Sequence, residues 1–175
     1  MRSGGQKRSD PGRVARPEPP GRRHQKPSAR LAEQGIELPE VVVPLAVYVP
    51  AVRTGNLVYT AGQLPMTAGK LPMTGKVGAE VSAEEANVLA RQCALNALAA
   101  VDSLVGIDSV VRVVKVVGFV ASAPGFSGQP AVINGASELF GEVFGEAGAH
   151  ARSAVGVSEL PLDAPVEVEI IVEVA

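Results

Sequence analysis

Few side chains in this sequence could do chemistry alone, and most lack the partners that chemistry would need. Cys93 lies in an Ala-rich stretch with no acidifying neighbour, so it reads as a small buried apolar residue rather than a nucleophile. Of the two histidines, His24 falls in a Pro/Gly-rich N-terminal stretch and only His150 in the body, which leaves no imidazole pair for nuclease-type proton transfer. One Cys and two His also fall short of the ~3–4 ligands a His/Cys zinc site requires. The Gly69 to Lys76 stretch fails as a phosphate loop, because five residues separate Gly69 from Gly75 and Val77 stands where a magnesium-binding Ser or Thr belongs. Gly141, Gly145 and Gly148 do not follow a strand, so they make no dinucleotide fingerprint and serve packing or helix termination instead. The informative remainder is His150-Ala151-Arg152-Ser153-Ala154-Val155, then Leu160-Pro161, then Val166-Glu167-Val168-Glu169.

Composition narrows the functions open to these residues. The 175 residues suffice for one domain and a tail. Residues 1–27 hold eight Lys or Arg against two Asp or Glu, so the net charge of -2 conceals a body with eight basic and sixteen acidic residues. An acidic body with no Trp, two Tyr and four Phe lacks both the cationic track and the stacking surfaces of a nucleic-acid binder. Hydrophobic residues make up 46% at a mean hydropathy of +0.21, yet no run approaches the ~18 apolar residues of a membrane span. Residues 1–27, with five prolines and four glycines, cannot bury enough surface to offset ordering and are expected to be disordered. They hold no secretory apolar segment, and their Pro and Gly would break a transit-peptide helix, which points to a cytoplasmic protein.

The elements expected to position the candidate residues follow from periodicity. After a short helix at 29–34, strands at 47–53 and 57–61 form a hairpin around Thr54-Gly55-Asn56, and 66–76 forms a second around Ala68-Gly69. Ser82-Ala83-Glu84-Glu85 is a capping box opening a helix that buries Val88, Leu95, Leu98, Val101 and Val105 and ends before Gly106. The segment 110–121 is a strand apolar on both sides, with Val111, Val113, Val117 and Phe119 on one face and Val110, Val114, Val116 and Val120 on the other; Arg112 and Lys115 fall on opposite faces. A second helix from about Pro130 carries Ile133, Ala136, Phe140, Phe144 and Ala147 inward. Strands at 153–159 and 166–174 close the chain, the last alternating Val166, Val168, Ile170, Val172 against Glu167, Glu169, Ile171, Glu173. This order suits an α+β domain spanning 28–175, a mixed sheet with two helices on one face. Two helices cannot cover both sides of the valine-rich strand, so the other face is expected to pack on a second copy of the chain.

Taken with Gly55-Asn56-Leu57-Val58-Tyr59-Thr60-Ala61-Gly62-Gln63, Asn134 and Val113 to Val120, the C-terminal segments resemble the Rid family, reactive intermediate deaminases also labelled translation-inhibitor endoribonucleases. The likeness spans residues 46–174. It implies the chorismate-mutase-like Rid fold, assembled as a barrel-forming homotrimer with clefts between subunits. It also implies hydrolysis of enamine or imine products such as 2-aminoacrylate to a 2-oxo acid and ammonia, with no metal or organic cofactor. No membrane partner is implied, and the acidic body makes nucleic acid an unfavoured one.

On this resemblance Arg152 is the carboxylate-binding residue, whose guanidinium matches a planar carboxylate with a fork of donors. Glu167 falls where the family places the carboxylate that orients water. Gly62 and Ala154 would contribute backbone groups, Tyr48 a hydroxyl at the cleft wall, and Asn134 support for the surrounding loop. On composition alone Arg152 fits an inter-subunit ion pair and Glu167 a solvated strand face with Glu169 and Glu173. The sequence also departs from the family: His150 stands where Pro is common, Ala61 where Ser is, Ala154 where Cys often is, and Pro50 in place of Gln.

Overall fold

Ser82 starts the helix around which the domain is built. Its hydroxyl accepts from the Glu85 amide while the Glu85 carboxylate accepts from the Ser82 amide, both at 3.1 Å, which satisfies two otherwise free donors. The computed structural model describes residues 25–41, 43–44 and 46–175; the expected disorder of residues 1–24 lies outside these. Helix α1 is Pro27–Glu33, followed by β1 Ala51–Thr54, β2 Leu57–Thr60, α2 Ala83–Val105, β3 Val110–Ala121, α3 Gln129–Phe144, β4 Ala151–Val157 and β5 Val166–Val174. Pro27, the last residue of the expected tail, thus opens α1, and Ser28 docks this helix by two hydrogen bonds to the Asp108 carboxylate.

The strands form one mixed sheet in the order β1-β2-β5-β3-β4, with β4 parallel to β3 and every other pair antiparallel. Helices α2 and α3 pack on each other and on one face of this sheet, enclosing Val113, Val116, Val120, Val168, Ile170 and Phe140 in a single core. Their crossing is close because Gly135 has no side chain: a Cβ there would collide with the Asn87 carbonyl. Among the described residues α2 is also the one helix with the length and apolarity of a membrane span; 56% of its apolar window is buried, the disposition of a core helix.

Several expectations are corrected. The buried side of α2 is formed by Ala86, Leu89, Ala90, Cys93, Ala97, Leu98 and Val101, while Val88 is 67% exposed. Leu98 and Val101 are buried and Leu95 and Val105 pack against the core as expected; of those five expected residues only Val88 is displaced, and small residues fill the rest of the contact because α2 lies close to the sheet. In β3, two register shifts place an extra residue opposite β5, between Val110 and Arg112 and between Val113 and Lys115. Val113 therefore joins Val110, Val116 and Val120 inside, Val114 turns away from that side, and Arg112 and Lys115 share the uncovered face. The hairpin expected at 66–76 shrinks to a turn with one bridge, Thr67 to Lys70, since Pro65 and Pro72 remove ladder donors on either side. β1 begins at Ala51 rather than at 47, and β4 occupies 151–157 because its partner β3 ends at Ala121, opposite Val157. By contrast α2, β3 and β5 have the expected bounds, and β5 alternates between sides as its sequence indicates.

Candidate active site

Arg152 sits on β4 opposite Val116 of β3, which lies on the helix-covered side of the sheet. The guanidinium reaches the adjacent flank of α3, where Nη1 donates to Asn134 Oδ1 at 2.8 Å and to Ser137 Oγ at 3.2 Å. Ser137 is in turn 2.9 Å from His150 Nε2, and His150 Nδ1 is 2.6 Å from the Gly148 carbonyl. A carbonyl only accepts, so Nδ1 carries the proton; in the neutral ring Nε2 then accepts from the Ser137 hydroxyl. The hydroxyl donates to the imidazole and accepts from the guanidinium, a chain whose members polarise one another. Phe140 packs edge-on against the imidazole with ring centres 5.8 Å apart. Ala154, two residues along β4, is half-buried against the core on the same side as Arg152.

Glu167 stands on β5 opposite Phe119, on the uncovered face of the sheet. Its carboxylate has no hydrogen-bond or ion-pair partner among the described residues, although the side chain is half-buried. Burial, reinforced by the neighbouring Glu169 charge, raises its pKa above the ordinary 4.5. The carboxylate has room because residue 62 is glycine: a Cβ on Gly62 would lie 2.8 Å from Glu167 Cδ. Gly62 also lines a cavity with Tyr48, whose side chain is 56% exposed. The segment carrying Gly62 is fixed by paired hydrogen bonds between Gln63 and Val168, and by Asn96 of α2. That buried amide donates to the carbonyls of Leu64 and Met66 at 3.0 and 3.1 Å.

The candidate residues thus fall into two groups. Asn134, Arg152 and Ala154 gather at the α3–β4 flank, and Tyr48, Gly62 and Glu167 gather at the β2–β5 end. Within the chain Arg152 and Glu167 project from opposite faces of the sheet, with β3 between their strands, so their side chains do not meet. Sequence reasoning passed over Asn96, Ser137 and Leu162. Asn96 had one visible signal, an amide inside an otherwise apolar helix, and a buried amide implies partners. Leu162 gave none: its positive φ of 59° and that of Asp163, also 59°, are set by the 161–163 turn. A left-handed residue other than glycine costs about 1–2 kcal/mol, so the surrounding bonds must impose it. No three His, Cys, Asp or Glu side chains cluster to hold a metal ion among the described residues.

Comparison with known proteins supplies a lineage for this arrangement. Residues 39–174 match the family model described as Endoribonuclease L-PSP. The chain is 44% identical over 148 residues to Protein TCP17 of Trypanosoma cruzi, covering 83% of this chain and 92% of that protein. It is similar to the crystal structure of Atu1372 from Agrobacterium tumefaciens, a protein of unknown function, with 46% identity, a TM-score of 0.79 and coverage of 85% and 92% of the two chains. A Shewanella oneidensis protein described as a candidate endoribonuclease superposes with a TM-score of 0.82 at 32% identity, covering 86% of this chain and all of its own. A match across most of the chain, joined to a mixed sheet with both helices on one side, establishes that this protein belongs to the L-PSP family, the group of Rid-like proteins its sequence resembles.

Proposed function

We propose that this protein hydrolyses reactive enamine or imine intermediates to 2-oxo acids and ammonia, at sites completed between protomers of a homotrimer. The observation that carries this reading is the separation of two half-built sites. One offers a guanidinium held in place by internal bonds; the other offers a half-buried carboxylate with no partner among the described residues. Since β4 is an edge strand, a second copy set with its β4 edge against the β2–β5 end would bring Arg152 of one protomer to Glu167 of another. The uncovered face carries exposed Val52, Tyr59, Val111 and Val155, apolar surface that a barrel of three sheets would remove from water.

In this reading Arg152 binds the carboxylate of an imino acid through paired donors, a charge-assisted contact contributing about 1.5–3 kcal/mol. Glu167, ionised, takes a proton from water as its oxygen adds to the carbon of the protonated imine, whose C=N π electrons move to nitrogen to give a neutral amine. Glu167 then gives that proton to the amine and takes the proton of the new hydroxyl as the C–N bond breaks, ammonia leaves and the C=O bond forms; solvent returns Glu167 to its ionised form. No electrons are exchanged with another reactant. Gly62 and Ala154 supply backbone groups, Tyr48 a hydroxyl, and Asn134 holds the anchor.

Mixing two impaired variants tests this reading. Arg152→Ala and Glu167→Gln chains, each strongly impaired in releasing ammonia from freshly generated 2-aminoacrylate at low substrate, are expected to recover about a quarter of wild-type sites when co-refolded, as random association in a ring dictates. Recovery of none would place the site within one protomer or remove it. Binding of 2-oxo acids without rate acceleration would leave a carboxylate-binding module. Cleavage of RNA by a chain lacking residues 1–27, abolished in Glu167→Gln, would assign ribonuclease chemistry instead.

A further inference from the structure

The cavity beside Glu167 has features that water addition to a small imine leaves unused. Its volume is about 170 Å³ and its wall is mainly hydrocarbon, from Pro44, Tyr48, Pro50, Leu64, Met66 and Leu162. Among the described residues its lining includes no charged side chain. A cavity of ~150 Å³ accommodates a benzene ring, so this one has room for a branched, thioether or aromatic side chain, and a two-carbon fragment would leave most of it empty.

Two parts of the wall are held in place by bonds from outside it. Asn96 fixes the Leu64 and Met66 carbonyls from below. On the opposite rim Leu162 is left-handed, with φ 59° and ψ 21°, and its side chain is 69% exposed. The turn is closed by the Asp163 amide on the Leu160 carbonyl and the Ala164 amide on the Pro161 carbonyl, and tied down by the Gly75 amide, which donates to the Asp163 carbonyl at 2.9 Å. Strain and apolar exposure at one residue both oppose folding, so their coincidence at a cavity mouth next to Glu167 points to a role in binding.

We infer that this cavity is a side-chain subsite selecting imino acids with bulky apolar side chains, and that Leu162 is its specificity-determining residue. The inference rests on the hydrolysis reading for where the imine sits, across Gly62 from Glu167. The carbon chain beyond the imine then extends over Gly62 toward Leu64 and Met66, with Leu162 closing over it. Polar chains of equal length would lose their water without finding a charged partner.

The test uses imino acids generated in place by an amino-acid oxidase from alanine, leucine, methionine and glutamine, with ammonia release read by a coupled assay. The leucine and methionine products are expected to exceed the alanine and glutamine products in kcat/KM by about tenfold or more, the discrimination an apolar pocket supplies. Leu162→Gly is the informative variant, since glycine adopts the left-handed backbone without strain while the side chain is removed. It is expected to erase most of that preference, with the leucine and methionine products falling toward the alanine product. Calorimetry with 4-methyl-2-oxopentanoate and pyruvate separates the two readings. No acceleration of any imine, with the branched oxo acid still bound more tightly, would sink the hydrolysis and leave the subsite. Equal acceleration of all four imines would sink the subsite and leave the hydrolysis. If Leu162→Gly breaks the assembly while keeping the preference, Leu162 is an interface residue and its assignment falls.

Discussion

The two ends of the sheet treat their charged residue in opposite ways. At the α3–β4 flank, Arg152 is held by Asn134 and by Ser137, which is itself anchored through His150 to a backbone carbonyl. At the β2–β5 end, Glu167 has space made for it by Gly62 and no partner among the described residues, although burial penalises its charge. A cation satisfied within its own chain is ready-made to present its remaining donors to a ligand. An unpaired carboxylate is kept basic, and its proton affinity stays available for chemistry rather than spent on a salt bridge. The contrast teaches that one half of the proposed site is set by internal hydrogen bonds and the other by what the fold withholds.

The largest expected effect tests the withheld half. Glu167→Gln should lower kcat for imine hydrolysis by about 10²–10⁴, the range for a lost general base, with modest change in KM. Because the ionised form is needed, kcat should fall on the acid side as the Glu167 carboxylate takes up a proton. Stability should respond in the opposite direction. A pKa raised in the folded state means stability is lost as pH climbs from 4.5 through the raised value, so Glu167→Gln should melt higher than wild type at neutral pH and equal to it below that window. A variant that melts lower at neutral pH would show that Glu167 is paired with a cation in the assembly, Arg152 of a second protomer being the candidate, and would confine the contrast to the separate chain.

Next in size, Arg152→Ala should lower kcat/KM by about 10–100-fold, matching a lost charge-assisted contact, and Arg152→Lys should restore little because an ammonium lacks the fork. Denaturation midpoints read alongside the kinetics should barely move, since the guanidinium stands at the protein's margin.

Asn96→Ala tests the scaffold of the other half. It frees two loop carbonyls and leaves a gap in the core, so unfolding should become easier by about 1–3 kcal/mol, with weaker 2-oxo acid binding seen by calorimetry. The smallest effect belongs to Ser137→Ala. Arg152 keeps Asn134, so KM should rise about fivefold at unchanged kcat, a loss near 1 kcal/mol. An equal effect on kcat would mean that Ser137 acts in the reaction and not only on the anchor.

Much of the framework was readable in advance, and the reason lies in which interactions are local. The Ser82–Glu85 box spans four consecutive residues, and the β5 alternation needs only a pleat with one covered side, so both are written in neighbouring positions. The departures come where distant chain segments decide. Prolines on either side of Thr67–Lys70 left a turn without its strands, and the bulges of β3 moved Val113 inward and Arg112 outward. On α2 the large residues Leu98 and Val101 mark the buried face, but the alanines that complete it carry little signal and Val88 lies outside it.

The site divides along the same line. Arg152, Glu167, Tyr48, Gly62, Asn134 and Ala154 were named from motif order, yet nothing in that order says that the first two leave the sheet on opposite sides. Residue types and short-range spacing determined the elements, the family and which side chains could carry chemistry, because propensity, capping and pleating act over a few residues. Only the tertiary structure decided that Asn96 would hold a cavity wall, that His150 would be joined to Arg152 through Ser137, and that Leu162 would stand strained at a cavity mouth. These depend on contacts between segments far apart in the chain, whose geometry emerges when the helices close over the sheet.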